Sequence, residues 1–236
     1  MKKSDVVIIL ILLFSVVSIY GKKPKTQVAI PDTVKLQLIT PLNQNIQVNC
    51  VDIDRKFYFI NELVLAKQDI LDNKLCFLLN ADLTISDVSI RNQNISLKQY
   101  RNVSVRDFAS AMEPQTFENI RKKSKIYEFV INKTDNLPEQ VNIRIKYHFL
   151  DKDSLFIIPS DKDWIDLKGT DFWYPRHPER DEEIALFVKS TDQNSFYLNG
   201  KIVEYSQKRY LKEYRTSFTD LAASPAVLMF RKSGLK

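Results

Sequence analysis

The chain has 236 residues, of which 44% are hydrophobic and 27% are charged, and its formal net charge is +6. This length and composition fit one large or two small folded domains and exclude an intrinsically disordered protein. The four glycines are too few for a collagen-like or glycine-rich loop protein, and the interspersed basic residues, with no aromatic RNA-binding motif beside them, argue against a nucleic-acid partner.

The N-terminus has the composition of an export signal. Lys2 and Lys3 form a basic start, and an apolar run of 15 residues follows from Val6 to Tyr20. Such a run is shorter than the roughly 20 residues of a transmembrane helix and suits the core of a signal peptide. We predict a signal peptide, or an uncleaved membrane anchor, over residues 1–21 and a linker over 22–33. The protein is then exported to the periplasm, the cell envelope or the medium, and it meets a membrane only through that segment.

Most of the remaining chain alternates between apolar and polar residues, or forms short apolar runs that end at turn residues. In residues 140–150, for example, Val141, Ile143 and Ile145 alternate with polar residues, which predicts a strand with one buried face. Asn199 and Gly200 predict a two-residue type I′ turn. The predicted strands cover residues 34–40, 45–53, 56–60, 62–67, 74–79, 83–90, 95–100, 125–131, 140–150, 182–189, 195–198, 201–206 and 225–230.

These strands predict a mainly β fold, namely an antiparallel β-sandwich formed by one domain over residues 34–232. One segment breaks the pattern. Residues 106–112 and the run from Pro114 or Gln115 to Lys123 each predict a short helix, the second with basic residues at its C-terminal end, as the helix dipole favours. We expect a helical insertion around residues 106–123 and no separate domain there.

The two cysteines, Cys50 and Cys76, leave two interpretations open. An exported protein favours a disulfide between them, which would contribute about 3 kcal/mol by the chain-entropy estimate. The alternative is two buried free thiols. With His148 and His177 the cysteines have no zinc-finger spacing, so we predict no metal site.

The segment DFWYPRHPERDEE, residues 171–183, is the part of the chain that most resembles a site of chemistry. His177 and Glu179 form a His-x-Glu pair, but the P-C-x-x-C partner that zinc deaminases require is missing. The chain has no H-E-x-x-H, no G-x-S-x-G and no phosphate loop. We therefore predict no catalytic residue and no cofactor. The enzymatic alternative is a hydrolase that uses Glu179 and Asp181 as paired carboxylates.

Aromatic and Arg-bearing patches are typical of protein–protein contacts, and large aromatics also anchor cores. Both interpretations apply to this segment. Its candidate partner-contact residues are Phe172, Trp173, Tyr174, Arg176 and His177.

The order of three pieces, IRIKYHF (143–149), DFWYP (171–175) and IALFVKS (184–190), resembles the N-terminal β-domain of the aminopeptidase N family of zinc metallopeptidases. Residues 74–97 resemble the strand pair that precedes these pieces in the family, and residues 216–230 resemble the run before its catalytic domain. The resemblance covers about residues 34–232. It implies the fold without the activity, because the family's catalytic domain would follow residue 232 and no residue here matches a zinc ligand or general base.

We therefore expect a non-catalytic, exported module that binds or supports an unknown protein partner. The alternative is the N-terminal component of a split or truncated zinc aminopeptidase whose catalytic part lies on another chain.

Overall fold

The structure, a computed structural model, describes residues 38–50, 56–70, 74–91, 93–95, 97–104, 107–108, 113–131, 137–150, 164–191, 194–221 and 227–232. These residues contain one α-helix, α1 (Pro114–Lys123). The strands are β1 (Asn43–Cys50), β2 (Lys56–Ala66), β3 (Lys74–Asn80), β4 (Thr84–Ile90), β5 (Gln93–Asn94), β6 (Leu97–Asn102), β7 (Ser124–Val130), β8 (Gln140–Leu150), β9 (Trp164–Lys168), β10 (Glu182–Thr191), β11 (Asn194–Leu198), β12 (Lys201–Ile202), β13 (Tyr205–Lys208), β14 (Leu211–Asp220) and β15 (Val227–Lys232).

The strands form three sheets. The largest has eight strands in the order β13-β14-β10-β1-β2-β8-β4-β5. A four-stranded sheet has the order β12-β11-β15-β9, and a three-stranded sheet has the order β3-β7-β6. Neighbouring strands are antiparallel except β1 and β10, which are parallel. The predicted mainly β sandwich is confirmed, with this one parallel pair as a departure from a purely antiparallel arrangement.

One hydrophobic core joins the three sheets. It holds the inward side chains of the large sheet, such as Ile46, Phe59 and Ile145, together with Phe77 of the three-stranded sheet and Phe196 of the four-stranded sheet. A second, smaller cluster lies under α1 and includes Leu78, Ile120 and Ile126. Because Leu78 and Phe77 are adjacent in β3, the three-stranded sheet has one face on each cluster.

The second predicted helix is confirmed as α1, which begins with Pro114 and has Arg121, Lys122 and Lys123 in its last turn. The first predicted helix falls mostly on residues outside those described. The type I′ turn is also confirmed, since Asn199 has φ 49° and Gly200 has φ 77°, and Leu198 pairs with Lys201.

Several predicted strand boundaries were wrong. Predicted strands 56–60 and 62–67 form one strand, β2, because Asn61 between them is buried in the sheet. Residues 38–40 are not in a strand, and predicted strand 201–206 is divided between β12 and β13. Strands β5, β9 and β14 were not predicted.

The predicted signal peptide and linker lie outside the described residues. Every described residue belongs to one compact unit. Among the described residues, no helix is both long and apolar enough to span a bilayer.

The candidate functional site at the Trp-Tyr-Pro corner

The segment between β9 and β10, residues 169–181, contains the aromatics and ionisable groups that the sequence analysis selected, and we call it the corner. It opens with a 3₁₀ turn, Gly169–Asp171, after which Phe172 adopts a left-handed backbone conformation with φ 54°. A non-glycine residue rarely adopts this conformation. Here it separates neighbouring side chains, since Phe172 packs in the cluster under α1 while Trp173 and Tyr174 pack in the main core.

The corner is bonded to the end of β3 and to the end of α1. The Asn80 side-chain amide donates to the carbonyl oxygen of Asp171 at 2.6 Å, and the Asn80 backbone N–H donates to the carbonyl oxygen of Phe172 at 2.8 Å. The ammonium of Lys123, the last residue of α1, forms an ion pair with the Asp171 carboxylate. These bonds fix the corner against both the three-stranded sheet and the helix.

A buried ion pair joins the corner to the large sheet. Arg176 Nε lies 2.5 Å from Oδ2 of Asp220, the last residue of β14, and these side chains are 3% and 0% exposed. The Tyr174 hydroxyl donates to the same carboxylate oxygen, and Arg176 Nη2 donates to the Leu221 carbonyl oxygen at 3.0 Å. The charge of Asp220 is therefore compensated inside the protein by a guanidinium and a phenol.

Glu182, the first residue of β10, is a second buried carboxyl beside this pair. It lies opposite Asp220 in the β10–β14 register, and its Oε1 accepts from the His177 backbone N–H at 2.9 Å. Its other oxygen has no hydrogen-bond partner among the described residues. Burial raises the pKa of Glu182 to about 7, and the nearby Asp220 carboxylate adds to this rise, while the His177 N–H and Arg176 act against it.

His177 is half-buried and neutral in character. Its Nδ1 accepts a hydrogen bond from the backbone N–H of Glu179 at 3.3 Å. Burial lowers the pKa of His177 to about 4, and the positive charges of Arg180 and Arg176 lower it further. The imidazole therefore serves as an acceptor within the corner.

The structure contradicts the predicted partner-contact surface for four of its five residues. Phe172, Trp173 and Tyr174 are each 1% exposed, and Arg176 is 5% exposed. Trp173 packs edge-to-face on Tyr174, with ring centroids 4.6 Å apart, because both side chains fill the space above the large sheet. His177 alone of the five is partly accessible. The alternative, that these aromatics belong to the core, is correct.

Neither Cys50 nor Cys76 is in a disulfide, and both thiols are buried, which agrees with the second of the two interpretations. Cys50 ends β1 in the large sheet, faces the main core and donates to the Lys189 carbonyl oxygen at 3.1 Å. Cys76 alternates in β3 with residues that face that core, so it lies on the other face of the three-stranded sheet. Burial raises the pKa of Cys76 to about 11, so its thiol stays protonated.

Sequence reasoning selected Glu179 and Asp181 as the paired carboxylates, whereas the buried pair is Glu182 and Asp220. Asp181 is exposed and Glu179 is half-exposed. The signal for Glu182 was its position two residues before Ile184, on the inward face of β10. No sequence pattern indicated that Asp220 is buried, because β14 was not predicted.

The buried groups of the corner bond to the chain itself. Asp171 pairs with Lys123, Arg176 pairs with Asp220 and the aromatic rings are enclosed, whereas Arg180 and Asp181 are exposed. In the part of the chain that the structure describes, no group of three or more His, Cys, Asp or Glu is arranged to hold a metal ion.

Comparison of the sequence with protein-family models and with curated proteins finds no match. Comparison of the fold with solved structures does. A mutant of the M1 zinc metallopeptidase of Deinococcus radiodurans matches with a TM-score of 0.51 and 11% identity over 83% of this chain. Native leukotriene A4 hydrolase of Saccharomyces cerevisiae matches with a TM-score of 0.51 and 10% identity over 81% of this chain.

The chain shares its fold with part of the M1 zinc metallopeptidases. It spans 42% of the Deinococcus chain and 28% of the yeast chain. The resemblance to this family of zinc metallopeptidases, predicted from the sequence, is thus confirmed for the fold. At these identities the likeness concerns the fold alone.

Proposed function

We propose that the protein is a non-catalytic, exported β-sandwich module that binds or supports a partner protein. The observation that carries this proposal is the closed corner. Tyr174, Arg176 and Asp220 bond to one another in the interior, so these ionisable groups of the corner and of β14 serve the fold. Residues in such a buried network have no access to a substrate.

The similarity in fold to part of larger enzymes favours a role as one component of an assembly. In the Deinococcus metallopeptidase the shared fold makes up less than half of the chain, so there it is joined to a larger remainder. A module of this fold therefore has a precedent as one part of a larger assembly, and here we propose that the other part is a separate protein.

Cross-linking followed by affinity capture of the exported full chain tests the proposal. We expect capture of a specific protein in amounts that match the folded module, by both the native protein and a Tyr174→Phe variant. Tyr174→Phe removes the bond to Asp220 without touching the surface. Failure to capture a protein above a non-cognate control would contradict the proposal.

Localisation is tested separately, by cell fractionation and N-terminal sequencing of the mature protein. Export predicts that the protein lies outside the cytoplasm and begins after the apolar run that ends at Tyr20, or retains that run in the membrane fraction. A protein that keeps Met1 and fractionates with the cytoplasm would contradict export.

The alternative is a component of a split zinc aminopeptidase, and the specific observation that favours it is the fold match to metallopeptidases. It predicts that hydrolysis of fluorogenic aminoacyl amides appears only when this chain is mixed with the captured partner and zinc. Hydrolysis by this chain alone would contradict both functions, and an inactive mixture would leave the binding module as the better account.

A further inference from the structure

The eight-stranded sheet ends in an exposed edge strand that combines aromatic and basic side chains. β13 (Tyr205–Lys208) is the outermost strand, and all four of its side chains are exposed. Within the described residues it pairs with β14 alone. An edge strand presents backbone N–H and C=O groups that can bond an added strand.

The backbone register shows which groups are free to do so. The β13–β14 hairpin closes on the pair Lys208 and Leu211, with two residues between them. In a hairpin with a two-residue turn, the closing pair exchanges backbone hydrogen bonds, and so does every second pair after it. Lys208–Leu211 and Ser206–Glu213 are therefore hydrogen-bonded pairs, whereas Gln207–Lys212 is not. The N–H and C=O of Gln207 therefore point away from β14, towards the open edge.

This edge is strongly basic. Residues 201–215 contain five Lys or Arg and two Glu. Glu213 is shared by two cations, with its carboxylate 3.5 Å from Lys208 Nζ and 4.0 Å from Lys189 Nζ. Lys201 and Arg209 are exposed and form no ion pair within the described part of the chain.

Apolar and aromatic groups accompany these charges. Ile202 is 61% exposed, Tyr205 46% and Tyr210 62%. The Tyr205 ring packs on Tyr214 at 5.4 Å between centroids, and Lys212 Nζ lies 4.6 Å from its centre. The Tyr205 ring is thus held in place and can contact a side chain of an added strand.

We propose that β13 is a docking edge for an extended, acidic segment of the partner protein, which adds to the large sheet as a ninth strand. This inference rests on the proposed function, since it states which chemistry of partner the module binds. Charge complementarity selects that occupant. A second copy of β13 has the same excess of cations over residues 201–215, so it brings no complementary charge to this edge. An anionic lipid surface would match the charge but provides no strand that could bond the outward N–H and C=O of Gln207.

The test measures the binding of labelled peptides to the full chain by fluorescence anisotropy. A short peptide of alternating Glu and Val matches the edge in charge and strand propensity, and a peptide of alternating Glu and Pro has the same charge but cannot bond as a strand. We expect the first peptide to bind and the second to bind at least about tenfold more weakly. Equal binding of the two would overturn strand addition.

Two variants locate the site. Lys208→Glu with Arg209→Glu should weaken binding of the Glu-Val peptide about tenfold, because two attractive cross-strand pairs become repulsive. Arg121→Glu with Lys122→Glu, both exposed on α1, reverses the same number of charges and should not change it. Gln207→Pro removes one outward N–H without reversing a charge and should also weaken binding. Hydrogen exchange of the complex should show new protection at Gln207.

Unchanged binding in the doubly reversed variant, or new protection only in other strands, would overturn the docking edge. Binding to phosphatidylserine vesicles with no binding of the Glu-Val peptide would overturn it in favour of a membrane surface. A partner captured equally well by native and reversed proteins would overturn this inference while the proposed function stands, whereas absence of any captured partner counts against the proposed function itself.

Discussion

At the scale of single residues, His177 in the corner and Glu182 beside it have pKa shifts of opposite sign. The Glu182 pKa is raised from 4.5 to about 7, so this residue holds its proton more tightly in the folded state. Its contribution to stability is present below pH 4.5 and is lost as the pH rises through 7. The His177 pKa is lowered from 6.5 to about 4, so its contribution is present above pH 6.5 and is lost as the pH falls through 4.

Glu182→Gln should reveal how the titration of His177 changes the free energy of unfolding with pH. The amide keeps an acceptor for the His177 N–H but cannot titrate. We expect the free energy of unfolding of this variant to rise between pH 4 and 6.5 by up to about 1.4 kcal/mol per pH unit. In the native protein the two effects offset each other over most of this range. Urea unfolding followed by tryptophan fluorescence measures both profiles, and parallel profiles would contradict the assigned burial of Glu182.

His177→Asn should reverse the sign of the slope of the free energy of unfolding against pH. The asparagine side chain can still accept from the Glu179 N–H, and the opposing effect of His177 is removed while that of Glu182 remains. We expect the free energy of unfolding to fall between pH 4.5 and 7, again by up to about 1.4 kcal/mol per pH unit. The same urea series measures it. A variant whose stability rises over that interval would show that Glu182 stays ionised in the folded protein.

Some features of the corner and of Glu182 beside it could be predicted from the sequence, and others could not. Trp173 and Tyr174 were identified as candidate core residues by size, and Glu182 could have been placed inward by its alternation with Ile184. The positive φ of Phe172 could not be predicted, because it follows from the contacts of two clusters and not from any glycine or asparagine.

At the scale of elements, the β11–β12 hairpin shows local sequence in agreement with the fold. Asn199 and Gly200 both have positive φ, as a type I′ turn requires. Asn199 also connects the turn to β15, because its side-chain oxygen accepts from the Val227 N–H at 2.9 Å. The hairpin therefore depends on two residues with separate roles.

Gly200→Ala should lower the free energy of unfolding by about 1 kcal/mol. A Cβ at Gly200 would meet nothing within 4 Å, so the loss comes from backbone strain alone. Gly200→Asn, which tolerates this conformation better, should cost less. Thermal unfolding of the pair measures the difference, and equal stability of Ala and Gly at this position would contradict the assigned turn.

The strands that sequence reasoning found and missed differ in pattern. Residues 140–150 alternate strictly and were predicted with the correct ends. In β14 only Tyr214 and Asp220 are buried, so the strand has no apolar stripe to detect. Its position depends on pairing with β10, which is a contact distant in sequence.

At the scale of the whole molecule, the corner bonds to elements of two sheets and to the helix. It contacts β3 through Asn80, α1 through Lys123 and β14 through Asp220, and the Gln44 side chain of β1 donates to the Pro175 carbonyl oxygen at 3.1 Å. Elements from the large sheet, the three-stranded sheet and the helix thus meet at one segment. The buried ionisable groups of this segment therefore serve stability.

A double-mutant cycle on Arg176 and Asp220, measured by urea unfolding, tests that claim most directly. Arg176→Met and Asp220→Asn each break a buried pair and should each cost about 3–5 kcal/mol, because each leaves a partner buried without compensation. The double variant should cost clearly less than the sum, with a coupling energy of about 2 kcal/mol or more. Single costs below about 1 kcal/mol that simply add would contradict the account, because the two groups would then be free for another role.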